Sequence, residues 1–284
     1  CEPVLTLPKT VGLEMVEDAD SLERCFNSLK TESAVGVDAE WPPGAPGPAT
    51  VLQLAVRQCV YIVDLPKLAV SCGVKLVEGL GNLLADTSTL KIGYGFAQAD
   101  LPRLAALQTT FGLPGVGLCR ARAVVDLGRA QSQVGGQHKL ISGGLNALVR
   151  ARLGCRLDKS EQCSAWAQRP LSAAQLHYAA LDAYVGLLLY DSIAAEPTGL
   201  ASLEAATTDS NLDTPSNDNT KLCKTDTPAP RIGRTGSAGD TTSFTTFDRL
   251  DIRVGNIVAA TPVVTANTLL CLTVELPGAP SETG

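Results

Sequence analysis

The first third of the chain contains four short runs of β-forming residues. In one of them, Leu52, Leu54 and Val56 alternate with other residues, which is the two-residue repeat of a strand with one buried face. The proline- and glycine-rich stretch that follows Trp41 is predicted to be a loop, because proline cannot serve a central strand. The predicted strands are Ala34–Ala39, Thr50–Val56, Cys59–Leu65 and Leu90–Tyr94.

Apolar residues at helical spacing predict helices over Val74–Leu84, Ala99–Leu107 and Leu145–Leu153. The clearest helix begins at Ser172, which forms a capping-box pattern with Gln175, and it continues to about residue 195. Early strands followed by alternating strands and helices predict an α/β domain, with a mixed sheet flanked by helices.

The composition changes after Glu196. Threonine, serine, asparagine, aspartate, proline and glycine dominate up to Ser243, and no aromatic residue lies between Tyr190 and Phe244. Such a segment cannot bury enough apolar area to offset its chain entropy, so it is predicted to be a disordered linker. Alternating β-type patterning then returns. We therefore predict a domain over 1–195, a linker over 196–243 and a β-rich segment over 244–284.

The composition narrows the class of protein. The chain has 284 residues, of which 45% are hydrophobic and 18% are charged, which is enough for a sizeable core. No apolar run reaches the roughly 18 residues that span a bilayer, so no membrane partner is expected. The chain begins with Cys1 and shows no signal-peptide pattern, so we expect a fragment, and the sequence leaves organelle targeting open.

The nine cysteines are scattered singly, without a C-x-x-C pair. This spacing predicts reduced, mostly buried thiols in a reducing intracellular compartment, rather than a disulfide framework or a zinc site.

The net charge of -6 argues weakly against nucleic acid as a partner, because phosphate binding usually requires a basic surface. Bound divalent metals would reverse the field at an acidic site. The segment Lys139–Arg169 also has a local excess of basic residues. This excess is compatible with a surface facing phosphates and equally with a solvated helix face.

Four acidic residues lie in otherwise apolar or small-residue stretches: Asp38, Glu40, Asp100 and Asp182. An ionised carboxylate is costly in such surroundings unless it is paired, and carboxylates that converge from several elements commonly hold divalent cations. Asp38 and Glu40 are two residues apart and project from the same face of a strand. Taken singly, these residues are also compatible with ordinary acids at a strand end or with a helix-dipole partner.

The last acidic residue has two candidate partners on its helix. Tyr178 precedes Asp182 by four residues and lies about 40° from it around the helix, whereas His177 lies roughly 140° away. We therefore expect Tyr178 to share the face of Asp182 and His177 to flank it. A buried tyrosine beside an incidental acid is the alternative. His138, in a glycine-rich loop, is expected at the surface.

The order D-x-E, a helical aspartate and Y-x-x-x-D resembles the tyrosine branch of the DEDD exonucleases. The block from Leu157 to Tyr184 resembles the one found in ribonuclease D, the Werner exonuclease domain and the mut-7-like exonucleases. The sequence segments VGVDAEW and GYGF are most similar to those of the mut-7-like branch. The resemblance covers residues 12–194. One departure is Ala165, where ribonuclease D-like members usually have aspartate, which puts the support of the neighbouring helix in doubt.

This resemblance implies a ribonuclease H-like fold and a catalytic site. Asp38, Glu40, Asp100 and Asp182 would bind two divalent metal ions, Mg²⁺ or Mn²⁺, and Tyr178 would orient or deprotonate the attacking water. The implied partner is nucleic acid with a single-stranded 3′ end.

A second resemblance lies near the end of the chain. The stretch from Phe247 to Val258 resembles the opening of the EMAP II-like tRNA-binding domain, an OB-fold. The chain stops well short of a complete five-stranded barrel, so an incomplete OB-fold segment is expected. A chance alternating β segment is the alternative. The resemblance hints at tRNA or another structured RNA as a partner.

Together these resemblances imply a metal-dependent 3′-5′ exonuclease that acts on RNA in preference to DNA. The alternatives are a DNA-directed exonuclease of the Werner type and a catalytically idle module that keeps the fold and binds nucleic acid. The sequence leaves the oligomeric state open.

Overall fold

The computed structural model describes residues 2–44, 46–115, 117–130, 132–134, 137–139, 143–211, 256–262 and 270–275. The chain divides into two compact units, Cys1–Pro228 and Ala229–Gly284, which are described separately.

The described residues contain helices and strands in alternation. The helices are α1 Ala19–Leu29, α2 Leu65–Ala85, α3 Phe96–Phe111, α4 Gly144–Leu153, α5 Ala173–Ala194 and α6 Gly199–Ala205. The strands are β1 Gly12–Val16, β2 Ala34–Glu40, β3 Val51–Ala55, β4 Cys59–Asp64, β5 Leu90–Gly93, β6 Arg120–Asp126, β7 Ser132–Val134, β8 Gln137–Lys139, β9 Thr207–Asn211, β10 Asn256–Pro262 and β11 Leu270–Glu275. The four predicted strands and the predicted helices are confirmed.

Seven strands of the first unit form one mixed sheet in the order β1-β4-β3-β2-β5-β6-β9. Strands β4, β3 and β2 are antiparallel neighbours, whereas β2, β5 and β6 run parallel. Because β2 and β5 are parallel, their carboxyl ends lie at the same edge of the sheet. The predicted mixed sheet is confirmed.

Helices cover both faces of this sheet, and alternation along the strands separates two cores. Leu52 and Leu54 of β3 pack in the core that contains leucines of α1, α2 and α3. Val51 and Ala55 of the same strand pack in the core that contains α4, α5 and α6. The face of the sheet that carries the even-numbered residues of β2 is therefore the face covered by α5.

Helix α2 begins nine residues earlier than the sequence pattern predicts. Asp64 caps it by accepting a hydrogen bond from the backbone N–H of Lys67, and Pro66 occupies its first turn, where proline is tolerated. The backbone is non-helical at Cys72, which explains why the pattern was continuous only beyond that point. Among the described residues, α2 also has the length and apolar composition of a membrane-spanning helix, but half of that stretch is buried, and a core helix meets the same criteria.

The folded part of the first unit continues past the predicted boundary at residue 195. Residues 199–205 form α6, and β9 pairs antiparallel with β6 at the edge of the sheet. Leu203 and Ala206 are buried. The prediction that the linker begins at residue 196 is therefore wrong for 196–211, because two apolar side chains and one edge pairing suffice to order a segment that is polar overall.

The rest of the predicted linker, residues 212–243, lies outside the described residues. In the second unit, β10 and β11 form an antiparallel pair with an irregularity between Ile257 and Ala259. The incomplete OB-fold stays a prediction, because most of 244–284 lies outside the described residues.

The cysteine prediction holds for most of the thiols that the structure describes. Cys25 and Cys155 are free and buried, and Cys59, Cys72 and Cys119 are free and half-buried. Cys163 is the exception, because it is in a disulfide.

Candidate active site

Strand β2 carries the first two acidic residues of the site on the face that α5 covers. Val35, Val37 and Ala39 of this strand pack in the opposite core, so Asp38 and Glu40 point toward α5. Both are nearly buried, with 5% and 9% of their surface exposed.

A glycine brings the helix close to this strand. A Cβ at Gly36 would lie 2.2 Å from the carbonyl oxygen of Ala183, so only glycine allows α5 to lie this near β2. Asp182 is the neighbour of Ala183, and Asp38 follows Gly36 by two residues. The close approach therefore brings the carboxylate of the helix to those of the strand.

Three carboxylates meet at this point. Asp38, Glu40 and Asp182 each offer one oxygen, and these oxygens all lie within 4.8 Å of one another. Asp182 is 9% exposed, so the cluster is largely removed from water. Three like charges this close repel strongly unless a cation joins them. An all-oxygen, carboxylate donor set fits hard divalent cations such as Mg²⁺ or Mn²⁺ better than zinc.

Asp100 enters the same region from the other helical layer. Gly95, with φ of 71°, turns the chain from the carboxyl end of β5 into α3, and Asp100 lies in the second turn of that helix. This is the sheet edge at which Glu40 ends β2. Asp100 is fully buried but lies outside the group of oxygens within 4.8 Å. The structure thus brings three of the four predicted ligands together and places the fourth at the same sheet edge.

Tyr178 is buried beside the carboxylates, with 7% of its surface exposed. Its ring centroid lies 5.9 Å from that of Trp166, and its hydroxyl shares a hydrogen bond with Asp182. Burial raises the pKa of the Tyr178 phenol far above its usual range, and the negative charges of Asp182, Glu40 and Asp38 raise it further. The phenol is therefore protonated at neutral pH and donates a hydrogen bond.

The helix that carries both residues begins where the sequence predicts. The Ser172 side chain accepts a hydrogen bond from the Gln175 backbone N–H, and the Gln175 side chain accepts one from the Ser172 backbone N–H. His177 is exposed, whereas Tyr178 is buried, as the helix geometry predicts. The side chain of His138, on β8, lies outside the described residues.

Residues that the sequence analysis did not single out hold the loops around the site. The guanidinium of Arg103 lies 5.0 Å from the ring centroid of Trp41 and donates to the Gly47 carbonyl at 2.7 Å. Arg103 follows Asp100 by three residues and Trp41 follows Glu40 directly. This contact therefore joins the loop after β2 to α3. A cation–π pair between distant segments has no signal in a single sequence.

A second set of contacts joins the 164–170 segment to the start of β3. Arg169 donates to the Thr50 carbonyl at 2.9 Å and to the Asp64 carboxylate at 2.5 Å. The Thr50 hydroxyl donates to the Trp166 carbonyl at 2.9 Å. Ala165 stands where ribonuclease D-like members usually have aspartate. The adjacent Ser164 supports α5 instead, because Gln175 Nε2 donates a hydrogen bond to Ser164 Oγ at 2.9 Å.

Ion pairs reduce the basic excess predicted over Lys139–Arg169. Arg150 pairs with Glu2, Arg152 with Glu196, and Arg169 with Asp64. These three arginines are thus held by carboxylates, which favours their interpretation as structural rather than phosphate-facing residues.

Comparisons with known proteins agree with this arrangement. The chain is 33% identical to the human exonuclease mut-7 homolog over 185 residues, which cover 60% of this chain and 21% of the human protein. It is 27% identical to ribonuclease D of Granulibacter bethesdensis over 177 residues, which cover 59% of this chain and 38% of that protein. The chain therefore spans well under half the length of these relatives.

A solved structure shows the same fold. The Nibbler EXO domain of Aedes aegypti superposes with a TM-score of 0.56 at 26% identity, over 72% of this chain and 98% of that domain. The sequence pattern of the 3′-5′ exonuclease family matches residues 13–196, which contain all five predicted site residues. The chain belongs to the 3′-5′ exonuclease family.

Proposed function

We propose that this protein is a metal-dependent exonuclease that hydrolyses phosphodiester bonds from the 3′ end of nucleic acid. The observation that carries the proposal is the convergence of Asp38, Glu40 and Asp182, whose oxygens lie within 4.8 Å, beside the buried hydroxyl of Tyr178. Family membership supplies the reaction class, and this cluster supplies the residues.

The four carboxylates are the residues that would hold divalent metal ions. Asp38 and Glu40 supply oxygens from one strand, Asp182 supplies one from α5, and Asp100 supplies one from α3 at the same sheet edge. When bound, two such ions supply an activated water and charge stabilisation of the departing 3′ oxygen.

Tyr178 would orient the attacking water. A phenol whose pKa is raised by burial and by three carboxylates keeps its proton at neutral pH. Its single O–H is shared with Asp182, so its oxygen can accept a hydrogen bond from the attacking water and fix the position of that water. Deprotonation of the water, the other role that the family implies, is the alternative.

The substrate is proposed to be RNA in preference to DNA, with a single-stranded 3′ end. Support comes from the name of one relative, ribonuclease D, and from the resemblance of the C-terminal stretch Phe247 to Val258 to a tRNA-binding domain. DNA is the competing substrate. A more specific proposal is that the substrate is a structured RNA such as tRNA, and this depends on the C-terminal resemblance alone.

The test is an incubation of 5′-labelled single-stranded RNA and DNA of the same base order with Mg²⁺, Mn²⁺ or EDTA. We expect stepwise shortening of RNA with either metal, slower shortening of DNA, and no reaction in EDTA. Asp38→Asn should remove the activity, whereas Asp191→Asn, at an exposed ion pair on the same helix as Asp182, should leave it unchanged.

Two results would contradict the proposal. Binding of both oligonucleotides without shortening in any metal would assign the chain to the idle nucleic-acid-binding class. Faster shortening of DNA than of RNA would keep the exonuclease and reverse the substrate.

A further inference from the structure

Gln53 carries a buried amide in the middle of the sheet, and the fold alone does not explain why a polar side chain lies there. Gln53 lies in the middle of β3 and is fully buried. Neither its amide oxygen nor its amide nitrogen has a hydrogen-bond partner among the described residues. Burying an amide without a partner is costly, and an unsatisfied polar group in a native core requires an explanation.

The register of the sheet places Gln53 directly beside the metal site. Gln53 pairs with Asp38 of β2 across the antiparallel ladder and with Ile62 of β4 on its other side. Directly opposed residues of antiparallel strands have Cβ atoms about 5 Å apart, which is within reach of a glutamine side chain.

The two side chains point to the same face. A Cβ at Gly36 would contact both the Ala55 side chain and the Ala183 carbonyl of α5, so Gly36 and Ala55 face this helix. Asp38 follows Gly36 by two residues and Gln53 precedes Ala55 by two. Both therefore face α5 as well.

The other neighbours of the amide are apolar. Val51, Ala55 and Ile62, on the same face, all belong to the hydrophobic core beneath α5. A leucine at position 53 would suit these neighbours without the cost of a buried amide. The polar neighbour that the register supplies is the carboxylate of Asp38.

We propose that Gln53 is a positioning residue of the metal site, which holds the carboxylate of Asp38 in the orientation that binds a cation. On cation binding, the amide nitrogen donates to one oxygen of Asp38, a bond that is not formed in the structure, while the other oxygen of Asp38 faces the metal, and the amide oxygen accepts from a water molecule in the site. Hydrogen-bond partners of this kind change metal affinity or activity by about 10- to 100-fold when they are removed. The inference rests on the proposed function, because it assumes that Asp38 is a ligand.

The test compares Mn²⁺ binding to the wild-type protein, Gln53→Leu and Gln53→Met by calorimetric titration after removal of metal. Thermal unfolding in EDTA and in increasing Mn²⁺ supplies a second readout, because a ligand stabilises the folded state in proportion to its occupancy. Asn146→Leu is the matched control, since it also replaces a buried amide, one that accepts a hydrogen bond from the Leu157 N–H at 2.8 Å.

We expect both Gln53 variants to unfold in EDTA at or above the wild-type temperature, because each removes two buried polar atoms that lack partners. The Mn²⁺ concentration for half-saturation should rise about 10- to 100-fold in both. Asn146→Leu should show the opposite pattern, with a lower unfolding temperature in EDTA and unchanged Mn²⁺ binding.

An unchanged Mn²⁺ affinity in a folded Gln53 variant would overturn the inference. So would failure of both variants to fold in EDTA, because that result assigns the amide to the stability of the sheet. If the wild-type protein itself binds no Mn²⁺ and Asp38→Asn behaves identically, the proposed metal site fails, and this outcome is distinct from failure of the Gln53 inference alone.

Discussion

Replacing Asp182 with asparagine should stabilise the metal-free protein and at the same time weaken its response to metal. The substitution keeps the size of the side chain and its ability to accept a hydrogen bond from Tyr178. It removes one charge from a cluster whose oxygens lie within 4.8 Å of one another.

The magnitude follows from this spacing. Two unit charges 4.8 Å apart repel by about 3.5 kcal/mol at an effective dielectric constant near 20, and Asp182 forms such a pair with both Asp38 and Glu40. Solvent screening and side-chain relaxation relieve part of this repulsion, so the full sum is an upper limit. We expect the free energy of unfolding in EDTA to rise by about 1–3 kcal/mol, which corresponds to roughly 2–4 °C for each kcal/mol.

The assay is thermal and urea unfolding at neutral pH, in EDTA and in saturating Mn²⁺. The wild-type protein should gain more stability from Mn²⁺ than Asp182→Asn, so the order of the two proteins should reverse between the two conditions. Asp191→Asn is the control on the same helix. Its exposed pair with Arg57 should contribute at most about 1 kcal/mol and leave the response to metal unchanged. A lower stability of Asp182→Asn in EDTA, or an equal response to Mn²⁺, would refute the account of repelling ligands.

Three further outcomes are expected. Tyr178→Phe should slow cleavage by roughly 10- to 10⁴-fold because the water-orienting hydroxyl is lost, while His177→Ala, at an exposed position, should change the rate little. Steady-state kinetics on a short RNA tests this, and a larger loss of rate in His177→Ala than in Tyr178→Phe would contradict it. Burial lowers the pKa of Lys91 from 10.5 to about 8, so the folded state binds fewer protons than the unfolded state between these pH values. The stability of the wild-type protein should therefore rise by about 3 kcal/mol relative to Lys91→Met as the pH increases through that window. Urea unfolding of both proteins from pH 7 to 11 measures this, and a stability difference that does not change with pH would contradict the lowered pKa. Truncation after residue 211 should preserve activity on short RNA. Leu203→Ala should cost about 2–5 kcal/mol of stability, and truncation after residue 196 should cost more, because both disturb the buried contacts of α6 and β9. Equal stability of the two truncated proteins would support the predicted domain boundary at residue 195.

Local patterns were sufficient for most elements of the sheet and for the last helix. Leu52, Leu54 and Val56 alternate because one core takes all three, and Ser172 and Gln175 cap α5 as their spacing predicts. The pattern failed for β9, whose residues are polar and whose order comes from pairing with β6. It also failed for the first half of α2, because non-helical backbone at Cys72 interrupts the periodicity.

The site was predictable as a set of residues and not as a geometry. The spacing of Asp38 and Glu40 and of Tyr178 and Asp182 fixes which side chains share a face, and the structure brings three of these carboxylates together. Their convergence depends on the close approach of α5 at Gly36, which the glycine alone does not reveal. Gln53 and Arg103 acquire their importance only through register and packing between distant segments.

The most direct test of the central claim follows the first nucleotide that leaves the substrate. A single-stranded RNA labelled at its 3′ end is mixed with the wild-type protein in Mn²⁺, and a matched RNA carries a blocked 3′ end. The account predicts immediate release of the label as a mononucleotide, no release from the blocked RNA, and no release by Asp38→Asn or in EDTA. Release of internal fragments, release from the 5′ end, or cleavage that persists in EDTA would contradict it.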